Sequence, residues 1–126
     1  MTATPDQQMA LFDYCFDFAK TMLMDSGEFY PFGADITAEG QQRAVGGWNG
    51  EEHPNAGEMY TLMKDAFVAS ARNGEITAAA IAANVDVPAA YDSPYPDAVR
   101  IQLEADGNSR FIYVPYRINT KGLFRK

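Results

Sequence analysis

Ile76-Thr77-Ala78-Ala79-Ala80-Ile81-Ala82-Ala83-Asn84-Val85-Asp86-Val87 holds five alanines, and two conformations compete for it. Alanine has the highest helix propensity of any residue, so the middle of the run favours a helix. Its ends favour a strand: Ile76-Thr77 follows directly on Asn73-Gly74, a helix stop, and Val85 and Val87 carry the β pattern up to Pro88. We read Ile76 to Val87 as a strand. Side chains this small would let a helix pack unusually close, or leave room for a ligand.

Upstream, Met59, Leu62, Met63, Ala66, Phe67 and Ser70 repeat at helical spacing, which predicts a helix from about Pro54 or Asn55 to Asn73. Downstream, Pro88 to Asp97 contains three prolines and reads as an irregular connection. Val99, Ile101, Leu103 and Ala105 then alternate with Arg100, Gln102, Glu104 and Asp106. That alternation predicts a strand with one face buried and one wet. Asp106-Gly107-Asn108 turns it into a last strand, Arg110-Phe111-Ile112-Tyr113-Val114.

The N-terminal half supplies the remaining elements. Thr4-Pro5-Asp6-Gln7 combines an N-cap threonine, a proline at the first helical position and a glutamine at the capping-box position. The helix it starts carries Leu11, Cys15, Phe18 and Met22 on one stripe, with Phe12, Phe16, Ala19 and Leu23 beside them, and stops at Ser26-Gly27. Glu28 to Ile36 and Arg43 to Trp48 read as a hairpin joined by Thr37 to Gln41, with Pro31 confined to an edge, a bulge or a strand start. In a regular strand Glu28, Tyr30 and Phe32 would share one face, and Phe29 and Pro31 the other.

The order is therefore α-β-β-α-β-β-β. It predicts an α/β (α+β) domain of two layers, a five-stranded and mainly antiparallel sheet packed by two amphipathic helices. Residues 1–118 form the single domain and 119–126 a short basic tail.

Composition narrows the class of partner. The 126 residues carry 17 acidic and 10 basic side chains, a net charge of −7, which opposes the counterion release that drives nucleic-acid binding. Four of the ten basic residues, Arg117, Lys121, Arg125 and Lys126, lie in the last ten positions. Such a tail folds back on an acidic body or frays more readily than it seeks a membrane. One cysteine allows no internal disulfide, and neither a signal peptide nor an apolar run long enough for a bilayer is present, so a cytoplasmic protein is expected.

Motifs for chemistry are sparse. His53, beside Glu51 and Glu52, is the one conventional general base, and no second His or Cys completes a metal set around it. Cys15 sits on the apolar stripe, where a thiol acts as a small hydrophobe. Neither a nucleophile elbow nor a phosphate loop occurs. No catalytic residue, metal or cofactor is assigned. A group of tyrosines, with Trp48 and a few charges, suits a binding surface better: the candidate binding residues are Glu28, Tyr30, Arg43, Trp48, His53, Tyr91, Tyr95 and Tyr116.

Gly27-Glu28-Phe29-Tyr30-Pro31-Phe32-Gly33-Ala34, the acidic entry Glu51-Glu52-His53-Pro54 and the terminal Val114-Pro115-Tyr116-Arg117 resemble a group of small uncharacterised bacterial proteins with a GEFYPFGA-type signature. That resemblance brings no activity. The element order is similar to that of roadblock/dynein light-chain proteins and other profilin-like folds, which implies a dimerising adaptor by analogy. The leading expectation is a non-enzymatic protein-interaction module that binds a protein partner or a second copy of itself as a homodimer. The alternatives are a small-molecule-binding protein or hydrolase with a pocket near Glu28, Arg43 and His53, and an immunity-type protein that neutralises a toxin.

Overall fold

Thr4 caps the first helix as its sequence predicts: its hydroxyl accepts from the backbone N–H of Gln7 at 3.1 Å, and the Gln7 side chain accepts from the Thr4 N–H at 2.9 Å. A computed structural model describes residues 3–46, 56–87, 95–105 and 107–116. Helix α1 spans Pro5–Ser26 and ends on Gly27, whose φ of 80° is the left-handed cap that glycine adopts without strain. Strands β1 (Phe32–Thr37) and β2 (Gln42–Gly46) follow, then α2 (Ala56–Arg72), β3 (Ile76–Asp86), β4 (Asp97–Ala105) and β5 (Asn108–Tyr116). The class and the element order are those expected.

The sheet runs β2-β1-β3-β4-β5 with every neighbouring pair antiparallel. The alanine-rich segment is its central strand. Because β1 is antiparallel to both β2 and β3, those two run parallel, and α2 makes the crossover between them.

Side-chain alternation places the helices on opposite faces, so the expected two layers gain a third. Leu11, Cys15, Ala19 and Leu23 of α1 bury against Phe32, Ala34, Ile36, Ala78, Ala80, Ala82, Val99, Ile101 and Leu103. The intervening residues of the same strands face the other way, where Met63 and Phe67 of α2 meet Ala79 and Ile81. Alanines alternate onto both faces of β3, and both helices pack on it. Small side chains at the centre of the sheet make that double cover possible, since each methyl holds its helix no further off than one carbon.

The first strand begins later than expected, at Phe32 rather than Glu28. Pro31 has no N–H to give a ladder, and residues 28–30 cross from the end of α1 to the sheet as a loop. Glu28 and Tyr30 turn outward and Phe29 and Pro31 inward, but Phe32, expected on the face of Glu28 and Tyr30, is buried.

Candidate functional site

Two regions of the described surface combine exposed or unusual side chains with a defined shape, one on each side of the sheet.

On the α1 side, aromatic rings form a continuous series. Tyr14 stacks on Phe18 with centroids 5.9 Å apart, Phe18 meets Phe32 edge-on at 4.9 Å, and Phe32 meets Phe29 edge-on at 5.6 Å. Phe29 and Phe32 are buried, whereas Phe18 keeps 42% of its surface exposed and Tyr30 keeps 50%. The strand carrying Phe32 is flanked by β2, an edge strand whose residues 42–44 are exposed. The other flank of α1, with Phe12 stacked on Phe16 at 6.0 Å, borders an open groove of about 760 Å³ beside Ile112 of β5. Arg110 reaches across that groove to Gln8 at 3.0 Å.

On the α2 side, the helix covers β1 and β3 and leaves β4 and β5 beside it. The step between helix and sheet is a cleft of about 420 Å³. Tyr60, Phe67 and Val68 of α2 form one wall, Ala79 and Ile81 of β3 the floor, and Phe111 of β5 the far side. That volume lies in the range of small-molecule sites.

A polar relay crosses the cleft. The Tyr60 hydroxyl donates to Gln102 Oε1, Gln102 Nε2 donates to Glu104 Oε2 at 2.7 Å, and Ser109 Oγ donates to both Glu104 oxygens at 2.7 and 2.6 Å. The amide of Gln102 is thereby held in one orientation, acceptor toward Tyr60 and donor toward Glu104. Next along β4, the Arg100 guanidinium lies 5.2 Å from the ring centre of Tyr60 and 5.3 Å from that of Phe111. Its Nε is buried with no hydrogen-bond partner, so ring faces supply its stabilisation.

The β4 face expected to be wet is thus partly covered. Gln102 is only 4% exposed, because Tyr60 of α2 lies over it. Period-two alternation identifies the face of a strand and says nothing about what tertiary structure sets upon it.

The sequence-based candidates separate. Glu28 is exposed in the loop before β1, next to Tyr30. Arg43 is engaged by a different carboxylate from Glu28: its Nε and Nη2 fork onto the two oxygens of Asp35, each at 2.9 Å. That hydrogen bonding and charge hold the Arg43 guanidinium above its ordinary pKa. Tyr95, half-buried, precedes β4, and Tyr116 pairs with Asp97 at the start of that strand, which brings these two to one end of the sheet. The Tyr116 hydroxyl donates to Asn84 Oδ1 at 2.7 Å, and burial with the nearby Asp97 charge pushes its pKa up. Trp48, His53 and Tyr91 lie outside the described residues.

Phe18, Asp35, Tyr60, Arg100, Gln102 and Glu104 were not singled out from the sequence. A motif search has little purchase on them, because their partners lie on other elements. Cys15 is buried, and burial pushes its thiol up to about 12. Among the described residues no group of three or more His, Cys, Asp and Glu side chains is placed to hold a metal ion, and no helix is long and apolar enough to cross a membrane. No family model, no curated protein and no solved structure matches this chain.

Proposed function

We propose that this protein is a non-enzymatic interaction module that engages a protein partner through the Phe18–Tyr30 surface and the neighbouring edge of the sheet. One observation carries the reading: Phe18 and Tyr30 remain 42% and 50% exposed, and Phe18 is seated edge-on against Phe32, which packs in turn on Phe29. Aromatic side chains held in place lose little entropy on binding, which is why such residues dominate interface energetics. Among the described residues β2 is the outermost strand on that side, the position that a partner strand extends.

The alternative pocket around Glu28, Arg43 and His53 draws less support, since the Arg43 fork is already occupied by Asp35.

Sedimentation velocity tests self-association, and capture with tagged wild type and tagged Phe18→Ser/Tyr30→Ser in parallel tests a heterologous partner. The reading expects a stoichiometric association that the double variant loses while its circular dichroism stays that of wild type. An association that the folded double variant retains, or none with either protein, overturns it.

A further inference from the structure

We infer that the cleft between α2 and the β4–β5 hairpin binds a small apolar molecule bearing a cationic amine, with the Glu104 carboxylate as its counter-ion. This site is on the opposite face of the sheet from the Phe18–Tyr30 surface and stands independently of it.

Three observations converge. The cleft is a gap in the cover of the sheet, because α2 packs over β1 and β3 and reaches β4 through Tyr60 at its edge. Its walls are apolar, with Phe67 and Val68 on one side, Ile81 below and Phe111 opposite, the last 46% exposed. A hydrocarbon body of modest size would remove those surfaces from water.

The third observation concerns charge. Among the described residues, the hydrogen bonds drawn onto Glu104 come from neutral donors, Gln102 Nε2 and Ser109 Oγ, and no Lys or Arg forms an ion pair with it. The donors orient the carboxylate without neutralising it. The relay is also directional: Tyr60 donates to Gln102, which donates to Glu104, so each link delivers positive hydrogen toward the carboxylate and leaves it an acceptor.

Two bases border this cleft: Lys64, exposed on α2, and Arg100, whose guanidinium is engaged by the rings of Tyr60 and Phe111 and forms no ion pair with Glu104 among the described residues. A net negative chain strengthens the attraction for a cation entering from solvent. An anionic ligand would meet Glu104 across the same small volume. A neutral ligand would gain the apolar contacts alone.

Phenylethylammonium, 2-phenylethanol and 3-phenylpropionate share a phenyl-alkyl body and differ in charge, and titration of the full-length protein with each at matched ionic strength, followed by amide NMR, tests the assignment. The expected result is saturable binding of phenylethylammonium that shifts the Gln102, Ser109 and Phe111 signals. The alcohol should bind about tenfold more weakly and the propionate more weakly still. Glu104→Gln, which keeps the size of the side chain and an acceptor for Ser109, should bring the amine down to the affinity of the alcohol with the spectrum otherwise preserved. Should Glu104→Gln disturb the fold, Ser109→Ala serves as the second variant, expected to weaken the amine and leave the alcohol unchanged. Equal affinity for amine and alcohol, an amine affinity unaltered by Glu104→Gln, or shifts confined to residues outside the cleft would each overturn the proposal.

Discussion

Gly33 of β1 lies directly beneath Phe67 of α2: a methyl group added at Gly33 would stand 3.1 Å from Phe67 Cε2, 3.1 Å from Met63 Sδ and 2.5 Å from the Ala80 carbonyl oxygen. Two of these neighbours belong to a helix and the third to the backbone of the central strand, so the closest contact cannot be relieved by rotating a side chain. The glycine of the Phe32-Gly33-Ala34 segment is what lets α2 reach the sheet. Gly33→Ala should therefore destabilise the protein by about 2 kcal/mol through overpacking, read as a lower urea midpoint. An unchanged midpoint would mean that α2 does not sit as close as described.

Asp35 is 3% exposed and faces α2, and its fork to Arg43 brings a solvated guanidinium to a buried carboxylate. Removal of Arg43 alone leaves that carboxylate with no cationic partner among the described ion pairs, whereas removal of both leaves no buried charge. Arg43→Met should lower the melting temperature more than the double change Arg43→Met/Asp35→Leu. A double variant less stable than the single would show that the pair itself, and not the burial of Asp35, governs this corner of the sheet.

The Tyr60 hydroxyl is the donor that satisfies Gln102 Oε1 inside the α2 cleft. Tyr60→Phe keeps the ring over Arg100 and removes only the donor. The orphaned amide oxygen should cost about 1 to 2 kcal/mol, measured by chemical unfolding. Adding Gln102→Leu should return part of that loss, since the polar group left unpaired is then gone.

Cys15 is fully enclosed on the inner face of α1, with its thiol pushed from an ordinary 9.0 up to about 12 by burial. Above pH 9 the unfolded chain releases this proton and the folded protein does not, so the contribution is whole below pH 9 and is lost as the pH rises toward 12. The slope should approach about 1.4 kcal/mol per pH unit. Urea midpoints at pH 8 and pH 10 should fall further apart for wild type than for Cys15→Ala, which lacks the titration. The native thiol should also resist a small thiol reagent until the protein unfolds; fast labelling of the folded protein would contradict its burial.

Legibility of this fold followed the range of the forces involved. The Thr4–Gln7 capping box, the Gly27 stop and the alternation of Val99 to Ala105 depend on neighbours within a few residues, and each appears where the sequence puts it. Glu28 to Pro31 was misplaced as strand because Phe29 and Tyr30 have strong β propensity, while the lack of a donor at Pro31 and the packing of Phe29 on Phe32 hold these residues in a loop. Gln102 was read as wet for a comparable reason. Its burial depends on Tyr60, 42 residues away, and no periodicity within β4 carries that information.

The sequence by itself determined the elements, their order and the antiparallel hairpins, because propensity, capping, turn residues and hydrophobic spacing act over short stretches of chain. It also supplied the net negative charge that disfavours nucleic acid. Only the tertiary structure decided that the helices lie on opposite faces, that the alanine-rich strand is the central one, that Arg43 pairs with Asp35, and that Tyr60, Gln102, Glu104 and Ser109 meet in one cleft. Each of these follows from which strand lies beside which and how the crossover through α2 returns to the sheet. Contacts of that kind join residues that are distant along the chain, and the residue types alone leave many such pairings open.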